Sequence, residues 1–245
     1  MLKKNQMCIG RQPIVEALTS GTAIEKIFMQ RGSTGSSIGE IQQMAADARV
    51  PISYVPKEKL IKFTNLRHQG VVAVLSEIKY FKLEDIVDHC YSEGKDPLIL
   101  VLDGVTDVGN FGAICRTALG LDVDAVVIGM TNAAPVNETA IKSSAGAIHH
   151  IKICRQRDLN ETIEYLKNYG ISIVCLTGKG KTMIGETDLK GPIAVVMGDE
   201  GKGVSKSILN QANKVCKIPM NSLLESYNVS VATALVLYEV SKSRG

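Results

Sequence analysis

The second half of the chain is a series of short apolar runs that each stop abruptly at a loop and are followed by a helical pattern. The clearest runs are at residues 98–102, 125–129, 171–176 and 192–197. Short unbroken apolar runs are typical of strands that are buried on both faces. Because such strands alternate here with helices, the sequence predicts an α/β fold with a mostly parallel sheet covered on both sides.

The first 76 residues carry a smaller α/β pattern. Apolar runs at 24–30, 51–55 and 70–75 predict three strands, and residues 36–49 place apolar side chains at helical spacing. This pattern is about half the size of an ordinary domain. We therefore expect a small N-terminal domain over residues 1–76.

Charge separates this first segment from the remainder. Residues 1–76 contain ten Lys and Arg against five Asp and Glu, whereas residues 77–245 contain 18 against 20. A basic segment, which begins with Lys3 and Lys4, suggests a polyanionic partner, although scattered solvated lysines explain the same charge equally well. The stretch 92–97 is rich in turn residues, so we expect a linker over residues 77–96, with a helix at residues 83–91, and a second domain over residues 97–245.

Several classes of protein do not fit the sequence. It contains no run of the roughly 18 apolar residues that a membrane-spanning helix needs, and its N-terminus has no apolar core of a secretory signal. The six cysteines are widely spaced without a C-x-x-C pair, and the four histidines lack metal-ligand spacing. We expect reduced thiols, no metal site, no membrane partner and a cytoplasmic location.

A glycine–lysine loop at residues 178–182 resembles two phosphate-binding motifs but completes neither. Met183 stands where a dinucleotide fingerprint needs its third glycine, and Cys175 stands where a P-loop needs its first. A flexible turn is the better interpretation of this loop.

The segment 107–118 is more informative. Asn110 stands just ahead of a predicted helix, where its side chain can cap free backbone N–H groups. Arg116 follows six residues later, about 1.7 turns into an otherwise apolar helix. An arginine in such a helix needs a carboxylate or phosphate partner, and a structural pair with a nearby aspartate would also satisfy it.

Two further segments follow apolar runs near the C-terminus. Residues 198–205 place three glycines between a strand and a helix that Ser205 can cap, a pattern that many α/β loops share. Residues 225–230 precede a helix that is apolar nearly all round and that Ser226 or Asn228 can cap. Since this last helix has little polar surface, we expect it to be buried against the sheet or another subunit.

Together these segments resemble the three motifs of the SpoU (TrmH) branch of the SPOUT superfamily. Its members are RNA ribose 2′-O-methyltransferases that use S-adenosyl-L-methionine (AdoMet). The matching motifs are 110–118, 196–203 and 218–232, and the resemblance spans about residues 97–242. Residues 1–76 resemble the L30e-like RNA-binding substrate domain of the subgroup that methylates guanosines of ribosomal RNA.

The resemblance implies a deep trefoil knot near the C-terminus, which is an exception to the usual absence of knots. It also implies a homodimer with its active sites near the interface. AdoMet would bind in a bent form against backbone around Gly198, Ile218 and Tyr227, with Gly201 and Met220 alongside. Tyr227 replaces a usual leucine and thereby changes the expected shape of the adenine pocket.

The catalytic assignment also comes from the resemblance. Arg116 would accept the proton of the target hydroxyl or organise its acceptor, while Asn110, Glu200, Ser226 and Asn228 would fix Arg116 and the substrate. Arginine side chains stay protonated in proteins, so a second hypothesis has Arg116 binding a phosphate of the RNA instead.

For the substrate, a separate N-terminal module favours structured RNA, and we expect a guanosine of 23S ribosomal RNA, with tRNA as the alternative. A ribosome-assembly factor without catalysis and a nucleotide-dependent enzyme of Rossmann type are the other two classes considered. The candidate RNA-binding residues of the N-terminal domain are Arg11, Arg31, Lys59, Lys62 and Arg67.

Overall fold

The computed structural model describes residues 7–245 and separates the chain into two compact units, with the division between Lys79 and Tyr80. Lys3 and Lys4 lie outside the described residues. The first unit contains β1 (Met7–Ile9), α1 (Arg11–Thr19), β2 (Ile24–Gln30), α2 (Ser36–Asp47), β3 (Ile52–Val55), α3 (Lys57–Phe63) and β4 (Val71–Leu75). Its sheet has the order β1-β4-β2-β3, in which only β2 and β3 are parallel. The three predicted strands and the predicted helix are present.

The second unit mostly alternates strands and helices. Its elements are β5 (Tyr80–Phe81), α4 (Leu83–Ser92), β6 (Leu98–Asp103), α5 (Val108–Gly120), β7 (Ala125–Gly129), α6 (Glu138–Ser143), β8 (Ile153–Gln156), α7 (Leu159–Asn168), β9 (Ser172–Leu176), β10 (Thr182–Met183), β11 (Ile193–Gly198), α8 (Lys206–Leu209), β12 (Lys214–Lys217) and α9 (Val229–Arg244). The strands form one sheet in the order β10-β12-β9-β11-β6-β7-β8-β5, and each described pair is parallel. The predicted α/β fold with a parallel sheet is confirmed.

The stretch 77–96 differs from the linker that the sequence suggested. Most of it forms β5, which pairs with β8, and the helix α4. Leu83, Ile86, Val87 and Cys90 recur at helical spacing and are buried in the core of the second unit. This amphipathic face holds the segment against the sheet, so it belongs to the second unit.

The order of the central strands determines where the polar loops meet. β11 lies between β9 and β6, and Gly198 at the end of β11 is in register with Asp103 at the end of β6. Because the three strands are parallel, the loops that follow them leave the same edge of the sheet. β12 pairs with β9 on one side and with β10 on the other.

Other features of the described residues limit the chemistry. In residues 7–245, no helix is long and apolar enough to cross a membrane, and no group of three or more His, Cys, Asp or Glu could hold a metal ion. All six cysteines are free thiols, and all except Cys8 are buried.

Candidate active site

The loop after β11 is a tight turn built on Asp199. The Asp199 carboxylate accepts hydrogen bonds from the backbone N–H groups of Gly201 and Lys202, both at 2.9 Å. Its carbonyl oxygen accepts a third from Gly203 at 2.8 Å. The turn returns so close to the strand that a Cβ atom on Gly198 would lie 2.1 Å from the backbone nitrogen of Val204. Glycine at position 198 is therefore a steric requirement of this turn.

Helix α5 begins earlier than the sequence suggested, and Asn110 does not cap it. The cap is Asp107, whose carboxylate accepts a 2.7 Å hydrogen bond from the backbone N–H of Asn110. Since Asp107 satisfies the free end of the helix, the side chain of Asn110 is available for other contacts. It lies in the first turn of α5 and donates a 2.9 Å hydrogen bond to Oε1 of Glu200.

Asn228 combines the two functions that the sequence left as alternatives. Its Oδ1 caps α9 by accepting from the backbone N–H of Ser230 at 3.0 Å and of Val231 at 3.4 Å. Its Nδ2 donates to Oε1 of Glu200 at 2.7 Å and to Oδ1 of Asn110 at 3.0 Å. Asn110, Glu200 and Asn228, which are distant in sequence, thus form one hydrogen-bonded cluster, which we call the amide–carboxylate cluster.

This cluster borders a pocket at the ends of β9 and β11. Four of the five predicted cofactor residues line the pocket, namely Gly198, Ile218, Met220 and Tyr227, whereas Gly201 is an exposed loop residue outside the lining. Its other lining residues are Leu176, Thr177, Gly178, Met197, Asp199, Glu200, Gly203, Glu225, Ser226, Val229 and Ala232. We call it the main pocket. Apolar side chains, exposed backbone and three carboxylates meet in it.

Tyr227 takes part in shaping this pocket. Its hydroxyl donates a 3.1 Å hydrogen bond to the carbonyl oxygen of Pro219, which ties together the two ends of the loop before α9. Ser226 lines the pocket, but its side chain makes no hydrogen bond within residues 7–245 and does not cap α9. Of the two candidates for capping this helix, the structure selects Asn228.

Arg116 is placed differently from the other catalytic candidates. It lies on the exposed side of α5 and makes no hydrogen bond or ion pair within the described part of the chain. The sequence led us to expect a carboxylate or phosphate partner for Arg116. Within one chain the guanidinium is instead exposed to solvent. Leu119, one turn further on the same helix, is also exposed.

The neighbouring Cys115 is not a candidate nucleophile. It is buried, and this burial raises the pKa of its thiol to about 12. A thiol with so high a pKa remains protonated at neutral pH and is unreactive.

Three contributors to the site were missed by reasoning from sequence: Asp107, Asp199 and the backbone N–H of Val229, which donates to Oε1 of Glu200 at 3.3 Å. An aspartate three residues before Asn110 is a typical helix-cap signal, and Asp199 followed by Gly201 is a typical Asx-turn signal. The contact of Val229 has no local signal because it joins positions 29 residues apart.

In the first unit, the predicted RNA-binding residues differ in availability. Arg11 is engaged internally, because its side chain donates to the carbonyl oxygen of Gln69 at 3.1 Å and to Oγ of Ser37 at 3.2 Å. Nε of Arg31 donates to the carbonyl oxygen of Tyr54 at 3.4 Å.

The remaining three RNA-binding candidates are exposed to solvent. Nζ of Lys59 lies 5.7 Å from the ring centroid of Phe28. Lys62 and Arg67 are both exposed, and Arg67 lines an open surface pocket with Lys57.

Comparison with known proteins accounts for almost the whole chain. Residues 97–238 match the SpoU rRNA methylase family, and residues 7–81 match the family of RNA 2′-O ribose methyltransferase substrate-binding domains. A protein of Staphylococcus saprophyticus that is assigned to the TrmH family of tRNA/rRNA methyltransferases is 35% identical over 236 residues, which cover 96% of this chain and 95% of that protein.

Solved structures share the fold. An RNA 2′-O ribose methyltransferase aligns with a TM-score of 0.56 and 25% identity over 97% of this chain and 88% of the other. The SpoU methyltransferase AviRb from Streptomyces viridochromogenes, solved in complex with AdoMet, aligns with a TM-score of 0.61 and 21% identity over 96% of this chain and 89% of that one. With the three motifs gathered at one edge of a parallel sheet, the family matches show that this chain belongs to the SpoU (TrmH) family of RNA methyltransferases.

Proposed function

We propose that this enzyme transfers the methyl group of AdoMet to a ribose 2′-hydroxyl of structured RNA, most specifically to a guanosine of 23S ribosomal RNA. The observation that carries the proposal is the amide–carboxylate cluster beside the main pocket. It gathers one residue from each of the three sequence motifs around a single carboxylate oxygen. Chain segments 118 residues apart converge on it.

The main pocket fits AdoMet chemically. AdoMet carries a flat aromatic adenine, a positively charged sulfonium and an amino-acid end with an ammonium and a carboxylate group. Leu176, Met197 and Ile218 supply apolar walls, and Asp199 and Glu225 supply negative charge. Such a combination of apolar lining with a few polar groups is typical of small-molecule sites.

In the proposed reaction, the ribose oxygen forms a bond to the methyl carbon as the bond from sulfur to that carbon breaks, and the hydroxyl proton passes to an acceptor. Oε1 of Glu200 already accepts three N–H groups, from Asn110, Asn228 and Val229. Its Oε2 has no partner within residues 7–245 and is available to the substrate hydroxyl. The cluster would thus hold the hydroxyl in line with the methyl group, which is the main requirement of this transfer.

Arg116 has a separate function in this proposal. Its exposed guanidinium is suited to bind a phosphate of the RNA through two parallel hydrogen bonds. The proton, held first in the hydrogen bond to Oε2 of Glu200, would pass to the phosphate or a water molecule, and Arg116 would contribute by positioning.

A homodimer is part of the proposal. Val231, Leu235 and Tyr238 form an exposed stripe on α9, which packs beside α5. Leu119 on α5, three residues after Arg116, is also exposed. A self-complementary interface of this kind would cover the stripe and place the active sites near it. Light scattering on a Leu235→Asp variant should show a monomer where the unmodified protein gives a dimer.

We also propose the trefoil knot. The support is the position of β12 between β9 and β10, two strands joined by the short segment 177–181. That segment crosses one face of β12, because a Cβ on Gly180 would lie 2.4 Å from the backbone carbon of Cys216. When the C-terminal part of a chain is threaded through a loop to form a knot, a strand such as β12 comes to lie against a loop that precedes it in sequence, such as 177–181.

The ribosomal target is supported by the match of the first unit to substrate-binding domains and by its basic charge. We propose that this unit is L30e-like and contacts RNA through its exposed cations, chiefly Lys59, Lys62 and Arg67. The tRNA alternative has support from the relative assigned to tRNA/rRNA methyltransferases. A non-catalytic assembly factor would not need the intact amide–carboxylate cluster.

Two experiments test the proposal. Calorimetric titration should show binding of AdoMet and none of NAD or ATP, and failure to bind AdoMet would overturn the function. Mapping of 2′-O-methylation in total RNA from cells with and without the gene should then show one missing site in large-subunit ribosomal RNA. A missing site in tRNA would establish the alternative substrate.

A further inference from the structure

The glycine–lysine loop that fails both phosphate-binding fingerprints separates two concave surfaces of the second unit. Thr177 and Gly178 at its start line the main pocket. Lys179 and Lys181 line a second groove on the other side, at the edge of the sheet formed by β10 and β12. We call this second surface the lysine groove.

The lysine groove presents hydrogen-bond donors. Its described lining residues are Lys179, Lys181, Thr182, Thr187, Asn213, Lys214, Val215 and Cys216, and none of these is acidic. Within residues 7–245, the side chains of Lys179 and Lys181 make no hydrogen bond or ion pair, and both are exposed. The main pocket, in contrast, contains three carboxylates. The two surfaces therefore select ligands of opposite charge.

Several of the groove's polar groups are held in place by the fold. Oδ1 of Asn213 accepts a 2.9 Å hydrogen bond from the backbone N–H of Ile173, which leaves the Asn213 amide N–H groups as donors. Lys214 donates to the carbonyl oxygen of Asp188, so its charge is fixed at the wall of the groove. The hydroxyl of Thr187 is engaged by the carbonyl oxygen of Met183 at 3.0 Å.

Gly180 fixes the loop itself. Its N–H donates to the carbonyl oxygen of Thr177 at 3.0 Å, and the N–H of Thr177 donates to the carbonyl oxygen of Cys216 at 3.0 Å. Since the backbone at Gly180 lies directly against Cys216, the loop cannot move toward β12. Lys179 and Lys181 are thus carried on either side of an anchored residue and do not belong to a freely flexible turn.

We propose that the lysine groove binds the sugar–phosphate backbone of the substrate RNA next to the nucleotide being methylated. This inference rests on the proposed function and adds a second RNA-binding surface, on the catalytic unit. A row of ammonium and amide donors without carboxylates fits phosphodiesters, and it carries no base-reading groups. The loop would then bind the RNA on one side and the methyl donor on the other.

The test measures binding of a labelled hairpin RNA of mixed sequence to the full-length protein by fluorescence anisotropy at several salt concentrations. The variant Lys179→Gln/Lys181→Gln removes two charges without touching the Lys214 contact. We expect the slope of log affinity against log salt to fall by about 1.4–1.8 and the affinity to fall about 10-fold at physiological salt. The matched control Lys82→Gln/Lys152→Gln removes two charges near the opposite edge of the same sheet and should change neither quantity comparably.

AdoMet titration of the same proteins separates this inference from the proposed function. Unchanged AdoMet affinity with weakened RNA binding in the groove variant supports both. A groove variant whose salt slope equals that of the unmodified protein overturns the groove and leaves the function standing. Lysine-dependent RNA binding by a protein that takes up no AdoMet supports the groove and overturns the proposed function.

Discussion

The loops after β9 and β11, residues 177–181 and 199–203, look alike in sequence and do different things. Both are glycine-marked, both follow neighbouring parallel strands, and neither matches a phosphate-binding fingerprint. A glycine packs against backbone at each loop: a Cβ atom on Gly198, the last residue of β11, would lie 2.1 Å from the nitrogen of Val204, and one on Gly180 would lie 2.4 Å from the carbonyl carbon of Cys216. Each of these glycines therefore lies where one segment of the backbone packs directly against another.

The ionisable residues distinguish the two loops. The loop 199–203 places Glu200 in a hydrogen-bonded cluster, while the loop 177–181 presents Lys179 and Lys181 without side-chain partners among the described residues. The comparison teaches that the glycine spacing of such loops reflects chain packing, and that the flanking charges indicate the ligand.

The largest expected effect is on stability, from the glycines that both loops share. Replacing Gly198 or Gly180 by alanine forces a Cβ into backbone, and we expect a loss of about 3 kcal/mol in the free energy of unfolding of the second unit. Gly178→Ala is the matched control, because nothing lies within 4 Å of its virtual Cβ. Urea denaturation measures all three, and equal stability of Gly180→Ala and Gly178→Ala would break the packing interpretation.

The next largest effect is on the rate of methyl transfer, and we expect it only from the loop 199–203, which carries Glu200. Glu200→Gln keeps one oxygen to accept the three N–H groups but replaces the free Oε2 by an NH₂ donor, so the side chain loses its charge and its acceptor for the substrate hydroxyl. We expect the single-turnover rate of methyl transfer to fall about 100-fold, because small misplacements are costly in such reactions. Glu186→Gln, an exposed carboxylate in the short helix Ile184–Glu186, is the control. A rate close to that of the unmodified protein would remove Glu200 from the mechanism.

A smaller effect is expected at Arg116. Arg116→Lys keeps the charge and loses the planar fork that binds phosphate through two hydrogen bonds. We expect the single-turnover rate to fall about 10-fold at saturating AdoMet, with the affinity for AdoMet unchanged. A near-normal rate would contradict positioning by the guanidinium. Arg157→Lys, an exposed arginine outside the site, serves as the reference.

The smallest effect concerns two buried thiols of the second unit. Burial raises the pKa of Cys115 on α5 and of Cys175 on β9 to about 12, from an ordinary value of 9.0. Since the folded state holds these protons more tightly than the unfolded state, stability should decline as the pH rises above about 9. Near neutral pH, iodoacetamide should leave both thiols unmodified until urea unfolds the chain. Labelling of either thiol in the native protein, measured by mass spectrometry, would contradict the buried placement.

The sequence predicted the elements that are long enough to show a continuous apolar run or a helical spacing of apolar residues. Apolar runs identified the central strands β6, β7, β9 and β11, and helical spacing identified α2. Strands of two or three residues, such as β1, β5 and β10, have no period to detect and are defined by their pairing partners. The helix α4 was predicted at residues 83–91 but was placed in a linker because turn residues follow it, although Leu83 and Cys90 are buried in the core of the second unit.

The sequence identified most residues of the site but not their hydrogen bonds or their exposure. Three motifs together indicated Asn110, Glu200 and Asn228, and the structure brings these three into contact. Asn110 was expected to cap its helix, but Asp107 does so, because cap preference alone does not locate the first turn. The exposure of Arg116 could not be inferred from an apolar helix, since exposure depends on what packs beside it.

The most direct test of the account is methyl transfer from labelled AdoMet to ribosomal RNA by the purified protein, followed by digestion to nucleosides and mass spectrometry. The account predicts a 2′-O-methylated nucleoside in the reaction with the unmodified protein and about 100-fold less of it with Glu200→Gln. Methyl groups on a base, or equal yields from the two proteins, would contradict a ribose methyltransferase whose amide–carboxylate cluster positions the hydroxyl.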